Sequence, residues 1–178
     1  MSPIRLSHVD VNVVDGGPAG LATAIALRCE GFAVAVFEQT NYRSSRISEH
    51  IPPSAKPLLA AIGLSDELAS GRHARCPDTR SIWGKDEPED RHYLFHPHGE
   101  GVNLSRPDFD LSFAELAEGN GAVVATNARV TNLTRGSSAW CISVAQSGTI
   151  SKTRADVVID ATGRAASVAK WLGMAHLR

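Results

Sequence analysis

Val9-Asp10-Val11-Asn12-Val13-Val14-Asp15-Gly16-Gly17-Pro18-Ala19-Gly20-Leu21-Ala22-Thr23-Ala24-Ile25-Ala26-Leu27 runs from an apolar strand, through a turn of small residues, into an alanine-rich helix. In a Gly-x-Gly-x-x-Gly turn the first glycine makes the tight bend, the second lets backbone approach a pyrophosphate, and the third packs helix against strand. Gly17 and Gly20 fill the second and third places, Gly16, Pro18 and Ala19 fill the variable ones, and Asp15 stands in the first. A carboxylate there adds a side chain where backbone freedom is wanted, and negative charge near a phosphate that the helix N-terminus attracts. The stretch predicts a dinucleotide-binding fold whose binding is compromised at Asp15.

The surroundings support the fold. The helix pattern runs to about Glu30, Gly31 stops it, and Phe32-Ala33-Val34-Ala35-Val36-Phe37 reads as a second buried strand, completing one βαβ unit. Glu38 closes that strand 18 positions after Gly20, where an acidic residue is expected to accept hydrogen bonds from an adenosine ribose. A glutamate there disfavours a 2′-phosphate, so NADP is the weaker ligand at this site. The competing reading is an ordinary strand-to-helix turn followed by a solvated strand end at Glu38.

Composition narrows the class. With 178 residues, 43% of them hydrophobic, the chain can bury a substantial core and is most simply one domain. A formal net charge of −1 gives no basic field for nucleic acid or an anionic membrane. No apolar run approaches the ~20 residues of a membrane span, and no signal segment opens the chain, so the expected location is the cytoplasm. Cys29, Cys76 and Cys141 are widely spaced, which fits reduced thiols better than a disulfide frame or zinc site.

Further along, Gln39 to Ser45 is polar and loop-like, and Ser54 to Leu64 predicts a short helix closed by Gly63, with another helical turn at Asp66 to Ser70. The apolar islands Ser81-Ile82-Trp83 and Tyr93-Leu94-Phe95 predict strands linked by loops. A helix is expected from about Arg106 to Glu118, a strand at Ala122 to Ala125, and a hairpin of Ala128 to Leu133 with Trp140 to Ala145. Ala155-Asp156-Val157-Val158-Ile159-Asp160 is a last buried strand, followed by Ala161-Thr162-Gly163-Arg164 and a helix through Trp171.

In this order the segments resemble the N-terminal half of FAD-dependent oxidoreductases of the glutathione-reductase-like superfamily, on the branch of p-hydroxybenzoate hydroxylase, aromatic monooxygenases and flavin-dependent halogenases. Arg46, Glu49 and Pro53 match that family's Arg-x-Gly-Glu-x-x-x-Pro segment, with Ser48 in the glycine's place; Leu104, Arg106, Phe109 and Asp110 resemble its Leu-x-Arg-x-x-Phe-Asp segment. Asp160-Ala161-Thr162-Gly163-Arg164 resembles its second fingerprint. The resemblance implies FAD as cofactor, NAD(P)H as reductant in the intact system, and a small organic substrate. It places cofactor contacts at Gly16 to Gly20, Glu38, Gln39, Arg46, Arg106, Val130, Asp160, Ala161 and Gly163, with Val130 facing adenine through its backbone.

The implied fold is α/β: a Rossmann-like FAD-binding domain over residues 1–178, with a parallel sheet, an antiparallel hairpin, and part of a second, substrate sheet inserted at about 72–104. Arginine supplies fixed donors that clamp a pyrophosphate bidentately, which suits Arg46 and Arg106. The alternative for both is an ion pair with Glu49 or Asp110, and for Val130 a plain core valine. His92, His96 and His98 share parity, so an extended segment would set them on one face, although Pro97 and Gly99 favour a loop. Cys76 follows His73 by three positions with nothing to orient a nucleophile and base.

The resembled family continues beyond the second fingerprint, so the expected partners are a missing C-terminal half or a second copy, with exposed apolar surface favouring association. Two functions follow: an FAD-dependent, monooxygenase-like oxidoreductase, or a non-catalytic, truncated or degenerate flavoprotein or half of a split flavoenzyme. A purely NAD-binding reductase domain leaves Arg106 and the Asp160 to Arg164 segment without a role.

Overall fold

A computed structural model of the chain describes residues 6–44, 46–84 and 86–174. Ser45, which ends the predicted polar loop, and residues 175–178 lie outside the described residues. The chain divides into two compact units, one formed by Met1–Ser44 with Phe113–Arg178, the other by Ser45–Ser112.

The first unit opens with strand β1 (His8–Val14), helix α1 (Pro18–Cys29) and strand β2 (Val34–Phe37), the predicted βαβ unit. The second contains β3 (His50–Ile51), α2 (Lys56–Ala61), α3 (Ser65–Ala69), β4 (Ala74–Cys76), β5 (Asp78–Ser81), β6 (Glu89–His92) and β7 (Gly101–Asn103). Helix α4 (Arg106–Gly119) carries the chain back to the first unit, which adds β8 (Val123–Ala125), β9 (Ala128–Arg135), β10 (Trp140–Gln146), β11 (Thr149–Asp160) and α5 (Ser167–Trp171).

In the first unit six strands form one sheet in the order β8-β2-β1-β11-β10-β9. β8, β2, β1 and β11 run parallel, whereas β10 lies antiparallel to both β11 and β9. The architecture is the α/β fold that the sequence predicts, with a parallel sheet extended by an antiparallel meander. Alternation along β2 divides the core: Ala35 and Phe37 join Val130, Leu133, Ile142 and Val144 of the meander in one buried cluster. Val13, on β1, faces Gly20 of α1, whose buried residues Gly20, Leu21, Ala24 and Ile25 form one stripe.

Several element boundaries differ from the sequence reading for local reasons. Gly31, at φ +89°, ends α1 with the Phe32 amide bonded to the Leu27 carbonyl, so Phe32 belongs to the helix terminus, is 45% exposed, and β2 starts only at Val34. β11 begins at Thr149, ahead of the predicted Ala155. Its first half pairs with β10 through the two-residue turn Ser147-Gly148, both residues at positive φ, and its second half pairs with β1.

In the second unit β3, β7 and β4 form one small antiparallel sheet, while β5 and β6 form a separate ribbon. The predicted apolar islands fall beyond the ribbon's strands except for Ser81, the last residue of β5: Trp83 and Phe95 are 91% and 94% exposed, and cross-strand ion pairing between Arg80 and Asp90 aligns the ribbon instead. His92 ends β6, and the Tyr93 to Gly99 segment closes two successive turns, so His92, His96 and His98 share no extended face. Among the described residues no group of three or more candidate ligands is placed to hold a metal ion.

The seating of α1 on β1 depends on Gly20. A Cβ added there would lie 2.2 Å from the Asp15 carbonyl oxygen and 3.2 Å from both Ala161 and Val13. Gly→Ala inside a helix ordinarily stabilises by about 0.5–1 kcal/mol, but overpacking costs about 1–3 kcal/mol, and here the clash is with backbone. Gly20→Ala is expected to lower urea-unfolding stability by at least about 1 kcal/mol; an unchanged or raised midpoint would contradict this packing.

Candidate functional site

The β1–α1 turn takes its shape from Asp15, whose φ is +84°. The first position of the turn thus demands the left-handed backbone that glycine supplies freely and aspartate tolerates better than most side chains. The Asp15 amide bonds to the Phe37 carbonyl at 3.0 Å, and the Ala161 amide to the Val14 carbonyl at 3.0 Å, tying the ends of β2 and β11 to the turn. Gly17 is the N-cap residue of α1, with Pro18 in the first turn, and it brings no capping side chain. The nearest atom to a Cβ placed on Gly17 would be Asp15 Oδ2, at 3.5 Å.

Glu38 is fully buried. Its Oε2 accepts from the Gly16 amide at 2.9 Å, and its Oε1 accepts from the Thr40 amide at 2.8 Å and the Thr40 hydroxyl at 2.6 Å. Tyr42, itself at φ +61°, donates its hydroxyl to the Gly16 carbonyl at 3.0 Å. Burial opposes ionisation of Glu38, but the hydrogen bonds from Thr40, Gly16 and the Asp15 side chain outweigh it and hold the carboxyl below its ordinary value. Glu38 is therefore built into the turn as its anchor. Thr40 and Tyr42, which the sequence reading left in a polar loop, complete that anchor; only their nearness to Glu38 in sequence could have drawn attention to them.

A cavity of about 160 Å³ opens beside the turn, lined by Asp15 with Gln39, Val130, Thr162 and Trp171 among others. Gln39 and Val130 are thus the predicted site residues that face it. Thr162, quoted within the second fingerprint, also lines it, as do Arg129, Ser167 and Trp171, which were not singled out from the sequence. Asp160 stands at the end of β11, with Oδ1 accepting from the Thr162 amide and hydroxyl and Oδ2 from the Ala169 amide. Partial burial raises the Asp160 carboxyl, and these hydrogen bonds more than reverse that, leaving it below its ordinary value. Ala161 packs toward Gly20, and Gly163, at φ +59°, opens a short 3-10 helix.

The other two predicted contacts, Arg46 and Arg106, lie in the second unit around Asp110, which is 1% exposed. Arg106 forks onto Asp110 at 3.2 and 3.0 Å and reaches Glu49 at 2.6 Å, while Arg46 meets Asp110 at 3.3 Å. Burial pushes the Asp110 carboxyl above its ordinary value, against the pull of both guanidinium groups. Two cations balance two carboxylates here, so the cluster carries little net charge to offer a phosphate. Nearby, His73 is buried against Glu67 at 3.0 Å, and Cys76 directs its thiol to the Asp78 carbonyl, so the two do not form a nucleophile and base.

The FAD binding domain family matches residues 8–177. This chain belongs to that family. As an FAD binding domain it is 31% identical over 93% of its length to the flavin-dependent halogenase armH4 of Armillaria mellea, covering 34% of that protein. It is 26% identical to the 1H-pyrrole-2-carbonyl-[peptidyl-carrier protein] chlorinase of Pseudomonas fluorescens, over 93% of this chain and 41% of that one. The same fold appears in the flavin-dependent halogenase CmlS, with TM-score 0.79 at 23% identity over 95% of this chain and 32% of that one. It recurs in the p-nitrophenol 4-monooxygenase PnpA of Pseudomonas putida, with TM-score 0.77 at 21% identity over 94% and 44%. The domain spans between about a third and a half of the curated relatives it matches. FAD is its cofactor, and no helix among the described residues is long and apolar enough to cross a membrane.

Two consequences are measurable. Because the Glu38 carboxyl is held low in the fold, its contribution to stability is present above the unfolded-state value of about 4.3 and lost as pH falls through the folded value. Glu38→Gln should cost about 1–3 kcal/mol at pH 7, with the gap to the unsubstituted chain closing below about pH 4; a gap independent of pH would contradict the anchoring role. Asp110→Ala leaves two guanidinium groups sharing Glu49, and should cost about 3–5 kcal/mol in urea unfolding, whereas a loss under about 1 kcal/mol would show a solvent-screened pair.

Proposed function

We propose that this FAD binding domain holds the adenosine end of FAD in the cavity beside the β1–α1 turn and serves the oxidation of a small organic substrate by halogenation or monooxygenation. The observation that carries the reading is the convergence of the β1–α1 turn, Gln39, Val130 and Thr162 on one cavity at the C-terminal ends of parallel strands, where open α/β sheets bind their ligands. At about 160 Å³ it is smaller than the roughly 300–1,000 Å³ of whole-ligand pockets, and so suits one ring system of a dinucleotide.

In this reading Gly17 leaves backbone open to the pyrophosphate at the N-terminus of α1. Val130 supplies backbone beside the adenine, and Gln39 and Arg129 supply the polar rim. Glu38 shapes the turn through Gly16, and Asp160, through Thr162 and Ala169, positions Ala161 and Gly163. Arg46 and Arg106 hold the second unit's ion cluster. Bound FAD would supply the redox chemistry, and the chain's part is to bind and orient it. The substrate class follows the relatives: an aromatic or pyrrole-like ring is the expected acceptor, with NAD(P)H as reductant.

A second reading, a flavoprotein that binds weakly and does not turn over, is favoured by Asp15 in the first glycine's place. Fluorescence titration with FAD tests the site. The chain should bind, and Gln39→Trp, which replaces an exposed side chain on the cavity with a bulky one, should weaken binding at least tenfold without lowering the thermal midpoint. Equal binding by both would contradict the placement. Oxidation of NAD(P)H by the FAD-loaded chain would exclude the second reading.

A further inference from the structure

Asp15 does more than replace a glycine, because its carboxyl has two neighbours of opposite consequence. On one side it is hydrogen-bonded to the Glu38 side chain. Glu38 already accepts three other hydrogen bonds and is held below its ordinary value, so an ionised Asp15 would stand beside a like charge. On the other side Asp15 lines the cavity, and its Oδ2 lies 3.5 Å from where a Cβ on the N-cap residue Gly17 would stand. The carboxyl therefore borders the place where α1 would meet an anionic ligand.

Resting on the reading that this cavity takes the adenosine end of a dinucleotide, we propose that Asp15 makes the site discriminate by charge: adenosine enters independently of pH, whereas phosphate-bearing nucleotides bind with a proton retained or taken up on the Asp15 carboxyl. A phosphate brought beside Asp15 disfavours its ionised form, so the bound state holds the proton to higher pH than the free state. The sign follows: affinity for a phosphorylated ligand is greatest at low pH and falls as pH rises, until Asp15 is ionised in both states. No covalent bond changes; the proton passes from solvent to an Asp15 oxygen.

Charged and titratable groups surround Asp15 among the described residues. Glu38 faces it from the end of β2, the Tyr42 hydroxyl is held on Gly16, Arg129 lines the same cavity from β9, and Asp160 ends β11 with its oxygens engaged by Thr162 and Ala169. Arg129 favours an anion at every pH in the physiological range. Asp160 is held below its ordinary value and stays ionised there. Asp15 borders the cavity with Oδ2 beside the N-cap Gly17, so its carboxyl is the group here that a bound phosphate would press toward the protonated form.

Adenosine, ADP and FAD titrated into the full chain from pH 5.5 to 8.5, beside Asp15→Asn and Asp15→Gly, test this. Asparagine suits the comparison because it tolerates positive φ as aspartate does. For the unsubstituted chain, ADP and FAD affinity should fall at least about tenfold across the range while adenosine affinity changes less than about twofold. Asp15→Asn should abolish the slope and bind ADP about tenfold or more tighter than the unsubstituted chain at pH 8.5. The proposal is overturned if ADP binding to the unsubstituted chain is independent of pH, or if Asp15→Asn keeps the slope; adenosine binding would then show that the cavity reading survives. If none of the ligands binds any of the three proteins while all remain folded, both the proposal and the cavity reading fail.

Discussion

The first unit depends on one close approach: the first turn of α1 lies against the Asp15 carbonyl so tightly that Gly20 has no room for a methyl group. That contact requires the chain to reverse within a few residues, which sets Asp15 in the left-handed region at φ +84°. The reversal is then held from outside. Phe37 receives the Asp15 amide, Glu38 receives the Gly16 amide, and Val14 receives the Ala161 amide, so the ends of β1, β2 and β11 meet at one point. Strain at a functional turn persists where surrounding structure over-determines it, and these bonds supply that determination.

From this constraint comes a division of labour among the acidic residues. Buried Glu38 is stable as a carboxylate because donors from Gly16 and Thr40 replace the water it loses. Asp160 does the same for the turn after β11, through Thr162 and Ala169. Asp110 and Glu49 are occupied with Arg46 and Arg106 in a compact ion network. Asp15, by contrast, borders both the Glu38 carboxyl and the cavity.

Where backbone chemistry is local, the sequence was legible. Gly31 and Gly63 mark helix ends, both at positive φ, and the Gly17 and Gly20 spacing marks the βαβ turn. The later strand β11 was half hidden, because Thr149 to Arg154 are mostly polar and only the Ser147-Gly148 dipeptide signals a hairpin. The ribbon of β5 and β6 was displaced from the apolar islands because charged cross-strand pairs, not apolar alternation, set its register. Site residues divided in the same way. Gln39 and Val130, which the family resemblance marked as cofactor contacts, line the cavity, whereas Arg129 and Trp171 reach it only through tertiary packing that no spacing encodes. The arginines illustrate the limit most clearly: residue type suggested phosphate clamps with ion pairs to Glu49 or Asp110 as the alternative, and only three-dimensional contacts show both carboxylates engaged with Arg46 and Arg106.

The central claim is that nucleotide recognition by this FAD binding domain lies at the β1–α1 turn and its cavity. Amide chemical shifts followed during titration of the isotope-labelled chain with ADP at low pH test it residue by residue. Shifts concentrated at Asp15 to Gly20, Gln39, Ala128 to Val130 and Thr162, with Glu49, Arg106 and Asp110 unmoved, are the predicted result. Shifts centred on Arg106 and Asp110 with the β1–α1 turn unmoved would contradict it.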